Sequence, residues 1–83
     1  MKTENNLKSL IDKIELGYSE LPYNGKKYGV SRKDFNSGNS IKVYAEELGG
    51  NDFISFNYYE TDEAFLKPCE MPEEKVMKFL RSI

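Results

Sequence analysis

The single cysteine is the most reactive side chain in this 83-residue sequence. Cys69 lies in residues 67–72 (KPCEMP), directly before a predicted helix. The partial positive charge at a helix N-terminus favours a thiolate over a thiol. If the chain is a thiol-dependent reductase, Cys69 would be the nucleophile, Glu70 or a nearby tyrosine the proton donor, and an external thiol the reductant.

Other features of the sequence oppose that chemistry. Glu70, Glu73 and Glu74 would repel a thiolate. The chain has no histidine to act as a base and no second cysteine to resolve an oxidised thiol. We therefore expect Cys69 to be a buried structural thiol, and we favour a function that is not enzymatic.

The residue types needed for most other small active sites are missing. Without histidine or a second cysteine, the sequence excludes Ser-His-Asp and Cys-His catalysis, histidine-ligated metals, paired-cysteine zinc sites and an intramolecular disulfide. Glu46 and Glu47 are neighbours on a predicted strand and so point to opposite faces. No calcium-binding loop or phosphate-binding glycine loop is present. We expect no metal ion and no cofactor.

A set of aromatic and polar side chains is predicted to share one face of a sheet. Strand alternation separates these residues from the apolar ones that would face the core. The predicted binding residues are Tyr44, Leu48, Phe53, Ser55, Asn57 and Tyr59. This face could dock a peptide, a protein partner, a small ligand or a second copy of the chain. Two alternatives stay open: it is an ordinary solvated face, or residues 61–70 fold over it.

Two amphipathic helices are predicted at the ends of the chain. The first covers residues 4–16, with Thr3 as its N-cap and Gly17 closing its last turn. Its apolar stripe consists of Leu7, Leu10, Ile11 and Ile14. The second helix starts at Pro72, a residue well suited to a first helical position. Its apolar stripe consists of Val76, Phe79, Leu80 and Ile83.

Three strands with alternating apolar residues are predicted between the helices. They cover residues 26–34, 41–48 and 53–60, separated by turn-forming runs rich in glycine, asparagine and serine. The inward-facing residues are Tyr28, Val30, Ile41, Val43, Ala45, Ile54, Phe56 and Tyr58. Further short strands are possible before the hairpin signal Asn24-Gly25 and at 64–67, which Pro68 would end.

These elements predict an α+β fold. The expected order is helix, three- or four-stranded antiparallel meander, helix, with both helices covering the same sheet face. No linker, repeat or low-complexity segment divides the chain, so residues 1–83 are expected to form a single α-β-β-β(-β)-α domain. A chain of this length buries only about 60% of the surface of its unfolded form, which leaves one modest core and little room for an enclosed cofactor.

The formal net charge of −2 conceals a strong segregation of charge. Residues 26–42 carry +4, residues 43–74 carry −8 and residues 75–83 carry +3. The basic strip consists of Lys26, Lys27, Arg32, Lys33 and Lys42. One interpretation is that this strip meets an acidic partner or phosphates. The alternative, which we favour, is cross-strand pairing with Glu46 and Glu47.

Binding to double-stranded RNA is a further hypothesis, because helix, three strands, helix is also the element order of the double-stranded-RNA-binding domain. That fold meets phosphates with basic residues at the start of its second helix, where this chain has Glu70, Glu73 and Glu74. We therefore expect no nucleic-acid partner. With no apolar run long enough for a membrane span, we expect a cytoplasmic protein without membrane contact, as a monomer or weak homodimer.

Two runs of the sequence carry a resemblance to a known family. Residues 43–55 (VYAEELGGNDFIS) and 67–72 (KPCEMP) resemble those of a small bacterial protein family whose members have about this length. Some members are labelled peptide methionine sulfoxide reductase. The chain lacks the Gly-Cys-Phe-Trp run of the A-type reductases. The resemblance therefore implies a bacterial source and a single compact domain more than it implies an activity.

Overall fold

The computed structural model describes residues 3–60 and 65–83, which form an α+β domain. Two helices flank five strands in the chain. The elements are α1 (Thr3–Ile11), β1 (Gly17–Tyr23), β2 (Lys26–Phe35), β3 (Ser40–Glu47), β4 (Phe53–Tyr59), β5 (Phe65–Pro68) and α2 (Glu73–Ser82). A single turn of 3-10 helix, Asn36–Gly38, joins β2 to β3. The predicted fold class and the order helix, strands, helix are confirmed.

The five strands form one antiparallel meander in the order β1-β2-β3-β4-β5. The sheet is larger than the three or four strands predicted, because both of the uncertain short segments pair. Asn24 and Gly25 have φ values of 56° and 76°, as the two-residue β1–β2 hairpin turn requires. Pro22 and Pro68 lie on the two edge strands, where a missing N–H is tolerated. The predicted turn at 61–63 lies outside the described residues.

The first helix ends earlier than its apolar spacing predicts. After Ile11 the backbone tightens into i to i−3 hydrogen bonds, in which the N–H of Lys13 and of Ile14 donate to Leu10 and Ile11. Ile14 is still buried, but it reaches the core from this turn and not from the helix. Gly17, with φ of 86°, starts β1 and does not close the helix. The predicted N-cap depends on the side chain of Thr3, which is not among the side chains that the structure describes.

The core lies between one face of the sheet and both helices. Leu7 and Ile11 of α1 and Val76, Phe79 and Leu80 of α2 belong to the same buried cluster as the sheet residues. All eight strand residues predicted to face inward are buried, with 2% exposure or less. Val43 pairs with Phe56 and Ala45 with Ile54, which is the face matching that the alternation predicts. The opposite face, which we call the outer face, carries the side chains of the alternate residues in each strand.

Candidate binding face

The predicted binding residues lie on the outer face or at its end, but they differ in accessibility. Tyr44 is 41% exposed and Leu48, in the β3–β4 turn, is 38% exposed. Phe53, Asn57 and Tyr59 are half-buried. The structure brings Tyr44 and Phe53 together, with ring centroids 6.0 Å apart and ring planes inclined by 30°. These two rings and Leu48 form the apolar part of the predicted site.

Ser55 differs from the expectation of a solvated polar group, because it is only 8% exposed. It lies opposite Tyr44 in the ladder, and its carbonyl accepts a hydrogen bond of 3.0 Å from the N–H of Cys69. The serine is therefore in the middle of the sheet, with chain on both sides. It belongs to the floor of the outer face and is not a surface contact.

Three of the five basic-strip residues are neutralised within the fold. Lys26 pairs with Glu47 at 3.2 Å and Lys27 with Glu20 at 3.8 Å. The guanidinium of Arg32 faces the core side, where its side chain is 9% exposed and pairs with Asp34 at 3.0 Å. The predicted pairing with Glu46 and Glu47 is thus found for Lys26 alone among these three residues. Lys27 pairs instead with Glu20 on β1, and Arg32 has a structural role.

Three exposed lysines form a row across the outer face. In the ladder Lys33 lies opposite Lys42, Lys42 opposite Asn57, and Asn57 opposite Lys67. All three lysines are exposed, and among the residues that the structure describes none of them forms a salt bridge. With strands about 4.8 Å apart, this lysine row (Lys33, Lys42 and Lys67) spans about 14 Å.

Aromatic side chains flank the lysine row on both sides. On one side, Tyr18 and Tyr44 both lie opposite Ser31, on the strands to either side of β2. On the other side, Phe35 and Tyr59 both lie opposite Ser40. Tyr18 and Phe35 are 61% and 45% exposed. Neither residue is among the predicted binding residues, although the Asn24-Gly25 hairpin signal fixes the register that places Tyr18 here.

A shallow cavity of about 410 Å³ opens on the outer face beside these residues. Its lining residues are Gly17, Tyr18, Ser31, Arg32, Lys33, Lys42 and Tyr44. It therefore combines two exposed tyrosine rings with the two lysines that face each other in the ladder. A second cavity, of about 450 Å³, lies along the exposed side of α2 and is lined by that helix alone.

Cys69 lies beside the outer face. It is half-buried, whereas the sequence predicts a buried structural thiol. It follows the edge strand β5, and the side-chain amide of Asn57 contacts its Sγ at 3.7 Å. Glu70 is exposed and has a left-handed backbone, with φ of 61°. An amide can orient a thiol, but it cannot accept the thiol proton as a general base. Asn57 therefore does not supply the base that thiol chemistry needs.

The strongest titratable cluster lies on the core side, where Asp52 receives hydrogen bonds from Lys75 at 2.7 Å and from the Tyr28 hydroxyl at 2.8 Å. The Lys75 hydrogen bond lowers the pKa of the Asp52 carboxyl, and the Tyr28 hydrogen bond lowers it further. Burial raises the pKa of Tyr28, and Asp52 adds to that shift. The phenol stays neutral, so this cluster ties α2 to the β3–β4 turn and has no free base.

Residues 3–60 and 65–83 contain neither a metal-ligand cluster nor a membrane-spanning helix. No group of three or more cysteine, aspartate or glutamate side chains is arranged to hold a metal ion. No helix within this part of the chain is long and apolar enough to cross a membrane.

Comparison of the chain with protein-family models, with curated proteins and with solved structures finds no significant match.

Proposed function

We propose that this domain is a non-enzymatic binding module whose outer face docks an acidic segment of a protein partner. The observation that carries the proposal is the lysine row. Three exposed ammonium groups, two of them directly opposite each other, lie on one face without a carboxylate partner in the described part of the chain. Like charges directly opposite each other in a ladder are destabilising, so an anionic partner gains from relieving that repulsion.

The aromatic residues around the row supply the contact area that charge alone does not provide. Tyr18, Phe35 and Tyr44 are exposed beside the lysines. Tyrosine and phenylalanine are enriched at protein interfaces, and exposed ion pairs by themselves contribute little affinity. An extended segment with carboxylates over the row and apolar side chains over the rings fits this face.

The charges beyond the row favour a short acidic segment over a nucleic acid. Glu20 and Glu46 lie on the outer face on either side of Gly29, beyond the row of Ser31 that borders the lysine row. Glu73 and Glu74 are exposed in the first turn of α2. A long polyanion that extends from the lysine row along the strands would therefore be repelled by these carboxylates. An acidic segment of a few residues can contact the lysines without reaching them.

The proposal is tested with defined peptides and fluorescence anisotropy. A labelled ten-residue peptide of alternating glutamate and glycine is compared with the same peptide carrying glutamine. The Lys33→Gln/Lys42→Gln protein should bind the glutamate peptide about tenfold more weakly than the native protein, since two exposed ion pairs are together worth about 1–2 kcal/mol. Tyr44→Ala should weaken binding of a peptide that contains leucine between the glutamates.

The matched control is Lys78→Gln/Arg81→Gln, which removes the same charge from the exposed side of α2. It should bind the glutamate peptide as the native protein does. Equal binding of the glutamate and glutamine peptides, or equal affinity of the native and Lys33→Gln/Lys42→Gln proteins, would overturn the proposal. Tighter binding of a ten-nucleotide oligothymidylate than of the glutamate peptide would also overturn it in favour of nucleic acid.

A further inference from the structure

The cavity on the outer face has a charged end and an aromatic end. Lys33 and Lys42 lie at one end, and Ser31, which is exposed, forms the floor. The rings of Tyr18 and Tyr44 both lean away from the lysines. Tyr18 lies over Gly29, where an added Cβ would come within 3.1 Å of its ring carbons, and Tyr44 packs beside Phe53. The floor between the rings and the lysines is thereby left open.

The charged end is suited to a dianion. Lys33 and Lys42 are direct ladder partners, so their side chains leave the sheet side by side, and neither forms a salt bridge with a carboxylate in the described structure. A carboxylate carries one negative charge, whereas a phosphate monoester carries about 1.5 to 2 at pH 7 and has three acceptor oxygens. One phosphate can therefore neutralise both lysines and also accept a hydrogen bond from the Ser31 hydroxyl.

The aromatic end has the width of one additional ring. Tyr18 and Tyr44 both lie opposite Ser31, so their backbones are two strand spacings apart, about 10 Å. Aromatic rings pack with their centroids about 4.5–7 Å apart. A third ring placed between the two tyrosines can therefore contact both of them.

We infer that this cavity is a subsite for a phosphotyrosine side chain within the acidic segment. The phosphate lies between Lys33 and Lys42, and the phenyl ring lies between Tyr18 and Tyr44 above Ser31. The inference rests on the proposed function, because the remainder of the acidic segment would occupy the rest of the lysine row. Phosphoserine would satisfy the lysines but leave the tyrosines without a partner.

The experiment compares three forms of one acidic peptide by fluorescence anisotropy. The peptide has alternating glutamate and glycine on both sides of a central residue, which is tyrosine, phosphotyrosine or phosphoserine. The native protein should bind the phosphotyrosine form about tenfold more tightly than the tyrosine form and more tightly than the phosphoserine form. Lys33→Gln/Lys42→Gln should remove this gain, and Lys78→Gln/Arg81→Gln should preserve it.

Two variants alter the floor and the aromatic end of the cavity while all lysines are kept. Ser31→Phe fills the floor with a residue that strands accept readily and also removes the Ser31 hydroxyl. Gly29→Ala displaces the Tyr18 ring, because its new Cβ would clash with the Tyr18 hydroxyl. Each should reduce the phosphotyrosine gain at least about threefold, and neither should abolish binding of the tyrosine form, because the lysine row is kept. If one variant fails to fold by circular dichroism, the other provides the test.

The outcomes separate this inference from the proposed function. Equal affinity for the tyrosine and phosphotyrosine forms, with the tyrosine form still dependent on the lysine row, overturns the subsite alone. Failure of the native protein to bind any acidic peptide overturns both proposals. Equal affinity for the phosphoserine and phosphotyrosine forms overturns the aromatic part of the subsite. Tighter binding of adenosine monophosphate than of phenyl phosphate overturns the assignment to a protein side chain.

Discussion

Arg32 illustrates how the position of one side chain on a strand decides whether its charge can serve binding. Its guanidinium donates two hydrogen bonds to Asp34, at 3.0 and 3.2 Å, and one to the carbonyl of Ile14 at 2.8 Å. The contact with Ile14 ties the turn that follows α1 to strand β2. Lys33, one residue later, points to the other face and keeps its charge available.

Ser19 is a residue whose polar group costs stability. Its Oγ is buried, and no hydrogen-bond partner for it is found in the described part of the chain. A buried polar group without a partner loses its hydration and gains nothing in return. Ser19→Ala should therefore raise the free energy of unfolding by about 1 kcal/mol, measured by urea denaturation followed by circular dichroism.

The control for this prediction is Ser31→Ala on the neighbouring strand. Ser31 is exposed, so its removal should change the free energy of unfolding by less than about 0.5 kcal/mol. A loss of stability in Ser19→Ala would show that the hydroxyl has a partner, such as a bound water, that makes its burial favourable.

At the scale of elements, the contact between α2 and the β3–β4 turn depends on one carboxylate. Asp52 accepts hydrogen bonds from Lys75 of α2 and from Tyr28 of β2, so it links three elements. Lys75 also lies 5.8 Å from the centre of the Phe53 ring, within the range of a cation–π contact. The loop therefore packs against the helix through polar contacts, while the rest of α2 is held by its apolar stripe.

The Asp52 cluster should make stability sensitive to acid. Its hydrogen bonds with Lys75 and Tyr28 hold the pKa of the Asp52 carboxyl below its ordinary value in the folded protein. A lowered folded-state pKa adds stability above the unfolded-state pKa of about 3.9, and that stability is lost as the pH falls through the folded-state value. The free energy of unfolding should therefore decrease below about pH 4, and part of this decrease should be absent in Asp52→Asn.

The comparison needs Asp52→Asn and Glu46→Gln measured by urea denaturation from pH 7 to pH 2. Asp52→Asn should be less stable than the native protein at pH 7 and should converge with it at low pH. Glu46 is exposed, and its carboxylate has no salt bridge among the described residues, so Glu46→Gln should follow the native curve. A constant gap between the Asp52→Asn and native curves at every pH would contradict this assignment.

Alternation along the strands made the inner half of the sheet predictable. Tyr28, Val43 and Phe56 were assigned to the core from period-two spacing alone, because a strand buried on one face must alternate. The end of α1 was not predictable in this way. The apolar spacing continues to Ile14, but the chain leaves the helix after Ile11. Arg32, which is distant in sequence, donates hydrogen bonds to the carbonyls of Ile11 and Ile14 there.

The outer face was predictable only in part, because its composition depends on register between distant strands. Tyr44 was identified correctly as exposed, since β3 has a strong alternating pattern. Ser55 is also predicted to be a binding residue on this face, but its central position in the sheet leaves it only 8% exposed. Lys67 joins the lysine row only through the pairing of β5 with β4, and no local pattern in the sequence reports that register.

For the whole molecule, the distribution of charge matters more than its sum. The formal net charge is only −2, yet residues 26–42 carry +4 and residues 43–74 carry −8. The molecule measures 39 by 24 by 22 Å, so its basic and acidic groups lie within a few tens of ångströms of one another. The electrostatic force on an approaching ligand can therefore come from the lysine row alone or from all charges of the molecule. Which of the two applies depends on how far electrostatic forces reach through the solvent.

Salt concentration controls how far electrostatic forces reach. The Kd of an acidic peptide should therefore depend on salt concentration in two stages. The Debye length is about 30 Å at 0.01 M salt and about 10 Å at 0.1 M. At 0.01 M salt the glutamate peptide is attracted by the lysine row and also repelled by the acidic half of the molecule, residues 43–74. At 0.1 M that repulsion is screened, and the attraction by the lysine row dominates. The Kd should therefore change little between 0.01 and 0.1 M and should rise clearly above 0.1 M.

A variant that removes distant acidic charge tests this mechanism directly. Glu73→Gln/Glu74→Gln makes the net charge less negative by two without altering the outer face. It should bind the glutamate peptide more tightly than the native protein at 0.01 M and equally at 0.3 M, because screening removes the distant repulsion first. Circular dichroism should confirm that α2 persists, since carboxylates in its first turn stabilise a helix by only about 0.3–1 kcal/mol each. If both proteins instead weaken in parallel from 0.01 M upward, the acidic half has no influence on docking, and the lysine row acts independently of the rest of the molecule.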